Sequence, residues 1–125
     1  MRPRQRFLFI MRALDSVLIL VLLLGGCSKA DLPDDTPSCI KSIIRKMERE
    51  DPRNPRGSVW QYTYRGTTVY FIPADCCDQY SELLDSDCNL LCAPDGGITG
   101  TGDGRCADFF SERKDEKVIW EDGRR

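Results

Sequence analysis

Val59-Trp60-Gln61-Tyr62-Thr63-Tyr64-Arg65-Gly66-Thr67-Thr68-Val69-Tyr70-Phe71-Ile72 is a pair of β-rich runs joined by two turn-compatible residues. The first run alternates, so Trp60, Tyr62 and Tyr64 share one face of an extended chain. Arg65-Gly66 supplies a two-residue turn in which glycine tolerates a positive φ, and the second run then doubles back. Pro73 stops it, because proline brings no N–H to a strand ladder. The expectation is an antiparallel hairpin whose aromatic row serves core or cross-strand packing rather than a ligand platform.

Upstream, Ile40, Ile43, Ile44 and Met47 recur at i, i+3, i+4 and i+7, which predicts an amphipathic helix over residues 38–50. Pro37 suits its first turn and Asp51-Pro52 ends it, with a turn-rich connection over 52–57. Downstream, Glu82-Leu83-Leu84-Asp85 and Leu90-Leu91-Cys92 flank a Ser86-Asp87-Cys88-Asn89 turn and predict a second hairpin. A glycine-rich loop covers 94–105, a short helix is expected over 107–113, and a last strand over Lys117-Val118-Ile119-Trp120. The sum is a small, disulfide-stapled α+β domain at 38–125, with one N-terminal helix on a mostly antiparallel sheet. Ser28 to Ser38 is rich in Asp and Pro with little to bury, so 27–37 reads as a flexible tether.

The first 26 residues carry an export signal: Arg2, Arg4, Arg6 and Arg12 precede the unbroken apolar run Val17 to Leu24, eight residues long. Signal cores run roughly 7–15 residues, whereas a bilayer-spanning helix needs roughly 18 or more. Leu24-Gly25-Gly26-Cys27 resembles the bacterial lipobox, with small residues before an acceptor thiol. Cleavage ahead of Cys27 and attachment of lipid to it are therefore expected, since two or three acyl chains anchor stably where one does not. Met11-Arg12 would give a tighter signal, so translation starting at Met11 is an alternative to Met1. Ser28 is not the aspartate linked to inner-membrane retention, which points to the outer membrane, on its periplasmic or surface side.

Removing residues 1–26 takes away four of 18 basic and one of 20 acidic side chains, leaving 14 against 19 and a net charge of −5. Phosphate backbones require a concentrated basic surface, so nucleic acid is excluded as a partner. The chain has seven cysteines. With Cys27 given to lipid, Cys39, Cys76, Cys77, Cys88, Cys92 and Cys106 form an even set, the mark of a disulfide framework in a short exported chain. Six thiols pair in 15 ways and sequence does not choose. Adjacent Cys76 and Cys77 are expected to point apart and bond to different partners, because redox pairs usually take the spaced Cys-x-x-Cys form. With no histidine as a base and no spare thiol, no enzyme is expected. No cofactor is expected either. Asp95, Asp103 and Asp108, in and beside the glycine-rich loop, are the one candidate calcium set, against a structural reading as Asx-turns. The expected role is a non-catalytic envelope module, anchored to the membrane by lipid and binding a protein, peptide or glycan through that loop and the aromatic face.

Trp60-x-Tyr62-x-Tyr64-x-Gly66-x-x-Val69-Tyr70, Cys76-Cys77-Asp78-Gln79, Pro94-Asp95-Gly96-Gly97-Ile98, Gly102-Asp103-Gly104-x-Cys106-x-Asp108-Phe109 and Ile119-Trp120 together resemble a family of small, uncharacterised bacterial lipoproteins. The resemblance extends over residues 39–122, with Cys-Cys-Asp and Pro-Asp-Gly-Gly its most specific motifs. It implies an exported, disulfide-linked domain of unknown function and brings no activity with it.

Overall fold

The 12 residues Ser38–Arg49 form helix α1, with Ile40, Ile44 and Met47 buried along one stripe. Pro37 sits at its N-cap in an extended conformation, and Glu50 turns extended at the other end, its N–H donating to Met47 O. These elements belong to a computed structural model of the chain, which describes residues 30–124. Cys27, the signal segment 1–26 and the first tether residues lie outside the described residues.

The hairpin forms as the alternation predicts: β1 is Ser58–Tyr64 and β2 is Thr67–Ile72, in antiparallel register from Trp60↔Phe71 to Tyr64↔Thr67. Arg65 and Gly66 both take positive φ, 49° and 78°, the twist that a tight hairpin needs. β3 (Glu82–Leu84) and β4 (Leu90–Cys92) make the second hairpin, and β5 (Lys114–Glu121) returns to the free edge of β1. The five strands run in the order β4-β3-β2-β1-β5, and every strand pairing is antiparallel. This is an α+β fold.

Each face of the sheet has its own core. On one, α1 lays Ile40, Ile44 and Met47 over Val59, Tyr70, Ile72, Leu84, Ile119 and Trp120. A bulge between Val59 and Trp60 lets Ile119 and Trp120, neighbours in β5, both point to this side. On the other, Tyr62, Tyr64, Val69, Phe71 and Leu83 pack with Phe109 and with Cys92 and Cys106. Phe109 opens the four-residue helix α2 (Phe109–Glu112), shorter than the 107–113 expected because Arg113 is already extended. β5 begins directly after it, earlier than the strand predicted from Lys117.

The linker expected over 27–37 does not run to its predicted end. Leu32 packs against the helix-side core, Thr36 is buried, and its N–H donates to Pro33 O at 3.0 Å. Lys41 Nζ donates to Asp34 O at 3.3 Å. The domain therefore begins near Asp31, because Leu32 gives this Asp/Pro stretch one apolar side chain to bury.

Candidate functional site

Ile43 and Met47 of α1 face the end of β2 and the loop that follows. Between them lies a groove of about 250 Å³. Ile43, Met47, Ile72 and Pro73 supply its apolar side, while Lys46, Arg53, Asp75, Gln79 and Glu82 supply polar groups. Arg53 holds the wall together: it donates to Glu50 Oε2 at 2.6 Å and pairs with Asp75. The hydrogen bond from Arg53 holds the Glu50 carboxyl below its ordinary range, helped by the charges of Arg53, Lys46 and Arg49.

The loop 73–80 closes the groove. The N–H of Gln79 donates to Cys76 O at 3.2 Å, making a turn with Cys77 at φ 59°. The chain then locks onto the glycine-rich loop: Tyr80 bridges to Gly96, Gly97 N donates to Gln79 O at 3.1 Å, and Ser81 N donates to Asp95 O at 3.2 Å. Gly96, at φ 86°, has no room for a Cβ, which would meet Gln79 O and Tyr80 Cα. Tyr80 itself remains 56% exposed, forming part of the groove's lining.

The predicted cysteine set is used in full. Cys39 pairs with Cys88, joining α1 to the β3–β4 turn, and Cys92 pairs with Cys106 across the glycine-rich loop, with Cα separations of 6.2 and 6.1 Å. The expectation that Cys76 and Cys77 bond to different partners is corrected. They are bonded to each other, Cα to Cα 3.7 Å, because the turn at 76–79 brings their side chains to one side and both remain exposed.

The calcium candidates are not brought together. Asp103 accepts from Arg105 N, Nε and Nη2, and Asp108 accepts from Tyr64 OH at 2.7 Å and from Arg65 at 3.0 Å. Both carboxyls lie below their ordinary range, Asp103 chiefly through the Arg105 N–H and Asp108 chiefly through Tyr64. Asp95 is engaged with Ser81 through its backbone. Among the described residues no group of three acidic or cysteine side chains is placed to hold a metal ion.

The aromatic row is packing, as its alternation suggested, and this corrects its place in the expected binding surface. Phe109 stacks edge-on to Tyr62 and Tyr64 at 5.5 and 5.3 Å, and both tyrosines are buried. Burial, then the bond to Glu116, pushes the Tyr62 hydroxyl up to about 12. The groove had no signal in the sequence, since residues scattered from 43 to 82 build it.

A family model described as a domain of unknown function, DUF6970, matches residues 45–122. No curated protein and no solved structure matches the chain significantly. The match begins within α1 and runs through β5, taking in the groove wall, both loops and five of the six described cysteines. The chain belongs to this family.

Proposed function

We propose that this member of the DUF6970 family is a bacterial lipoprotein, cut ahead of Cys27 and held by lipid on that residue at the outer membrane. Its folded part would then serve as a non-catalytic binding module of the cell envelope. One observation carries the reading: the six cysteines after the lipobox pair off among themselves, which leaves the seventh, Cys27, for a different chemistry. Three disulfides also suit an oxidising compartment outside the cytoplasm.

The groove beside α1 is the binding surface this reading favours. An apolar floor with charges of both signs on its rim fits a short amphipathic peptide segment of an envelope protein, with a glycan as the other class. Acid–base catalysis would need a carboxyl raised towards neutral pH. Wherever a shift is resolved among the described acids (Glu50, Asp85, Asp103, Asp108 and Asp122), it is downward, each held charged by hydrogen bonds.

Mass spectrometry of the membrane-extracted protein tests the anchor. The expected N-terminal peptide starts at Cys27 and carries a diacylglyceryl mass, and Cys27→Ser leaves an unprocessed precursor. A mature protein that begins elsewhere, or an unmodified Cys27, would sink the proposal. The calcium alternative, with Asp95, Asp103 and Asp108 as ligands, has a direct test. Millimolar calcium is expected to leave the melting temperature and the Trp60 and Trp120 fluorescence unchanged, and a rise in stability would reinstate it.

A further inference from the structure

We propose that Cys76–Cys77 is a reducible site, opened by a dithiol reductant, whose opening loosens the 73–80 wall of the groove. A disulfide stabilises a protein mainly by closing a loop of chain in the unfolded state. Cys39–Cys88 and Cys92–Cys106 close separations of 49 and 14 residues, whereas Cys76 and Cys77 are neighbours and close none. This third bond therefore has little to do as a staple. Its exposure also differs: Cys92 and Cys106 are 2% and 3% exposed, while Cys76 and Cys77 both lie open to solvent. An attacking thiolate must reach the bond in line, so access favours the exposed pair.

The bond sits where opening it has a structural consequence. It spans the first two positions of the 76–79 turn and ties Cys77 into a left-handed conformation that a side chain disfavours. Asp75, the preceding residue, is the groove-wall partner of Arg53. In exchange, one thiolate of the reductant attacks a sulfur of the pair, forming a mixed disulfide and releasing the other cysteine as a thiol. The reductant's second thiol then attacks the reductant sulfur of that mixed disulfide and displaces the remaining cysteine as a thiol. The reductant leaves as its own disulfide, so two electrons and two protons pass to Cys76 and Cys77. Released, Cys77 is free to leave the left-handed region, and the turn is then held by the Gln79 N–H to Cys76 O bond and, at its far end, by Gly97 N–H to Gln79 O.

The test uses the full-length protein as isolated without reductant, titrated with dithiothreitol under native conditions. Thiols are trapped by alkylation and located by peptide mass spectrometry. Cys76 and Cys77 are expected to label together at about tenfold less reductant than Cys92 and Cys106. Their labelling no earlier than the buried pair, or a bond from either to another cysteine, would overturn the site. Hydrogen exchange supplies the second arm: amides of 74–80 should exchange faster after that first reduction, with α1 unchanged. The Cys76→Ser/Cys77→Ser double variant should show the fast exchange without reductant and no response to it. Unaltered exchange at 74–80 on reduction would overturn the coupling to the groove.

Discussion

Arg124 does for α1 what no residue of the helix does for itself. Its guanidinium donates to Met47 O, Glu48 O and Glu50 O at 3.0, 2.8 and 2.9 Å, filling acceptor capacity at the helix end beyond the single Glu50 N–H to Met47 O bond. The buried Asp122 aims it, accepting from Arg124 N, Nε and Nη2 at 3.0, 2.9 and 2.7 Å. Those bonds hold the Asp122 carboxyl below its ordinary range. A lowered acid contributes stability that is present above its unfolded value and lost as pH falls through the folded one. Asp122→Asn is therefore expected to cost about 2 kcal/mol at pH 7, with the gap to wild type closing as pH falls below about 4. Urea unfolding at several pH values measures this, and a gap independent of pH would mean that shape, not charge, does the aiming. Two glycines separate space from conformation in the same way. Gly96 and Gly104 have φ 86° and 78°, but only at Gly96 would a Cβ strike backbone. Gly104→Ala should cost about 1 kcal/mol, the left-handed penalty alone, and Gly96→Ala at least about 2 kcal/mol more, read from denaturation midpoints.

Helix α2 is four residues long, and its importance lies in one side chain. Phe109 is fully buried and touches Tyr62, Tyr64 and Phe71, so it closes a sheet face that otherwise meets water. Phe109→Ala should cost about 3–5 kcal/mol and diminish the near-ultraviolet signal of the tyrosines around it. A loss under about 1 kcal/mol would mean that the loop, not this ring, covers the sheet. The same element marks where the sequence stops being legible. Helix α1, the β1–β2 hairpin and the β3–β4 hairpin announce themselves because their signals are local: a 3.6-residue stripe, an alternation, a proline stop. That Ala107 to Arg113 lies over Tyr62 and Tyr64 is a long-range fact, and no periodicity encodes it. The groove was hidden for the same reason, and the Cys76–Cys77 bond because it depends on a turn whose left-handed residue is a cysteine rather than a glycine. The calcium candidates are a different case. Asp103 and Asp108 have the right chemistry, but arginines only two residues away (Arg105) or across the hairpin tip (Arg65) take them first.

At the scale of the molecule, two cores back to back on one five-stranded sheet leave each layer thin. The helix side is closed by a single helix whose apolar stripe is three buried residues, and the other side by a loop and one phenylalanine. Domains this small rely on cross-links where burial falls short. The two long-range bonds are shared out accordingly, Cys39–Cys88 fastening the helix and Cys92–Cys106 fastening the loop layer. Loop-closure entropy assigns about 4 kcal/mol to the separation of 49 residues and about 3 kcal/mol to that of 14. Cys39→Ala/Cys88→Ala should thus be the more damaging double variant, by about 1 kcal/mol. Its unfolding should remain a single transition, because both cores share β1 and β2, so neither layer can leave without exposing the sheet to the other's loss. In a Trp60→Phe/Tyr70→Phe background, which removes the tryptophan of the opposite side and the tyrosine of the helix side, denaturant titration followed separately by tryptophan and tyrosine signals distinguishes the cases: Trp120 belongs to the helix-side core, and Tyr62 and Tyr64 to the opposite one. Coincident curves shifted to lower denaturant are the expected result. A helix-side transition that runs ahead of the tyrosine one would show that the Cys39–Cys88 bond, rather than the shared strands, makes this domain a single cooperative unit.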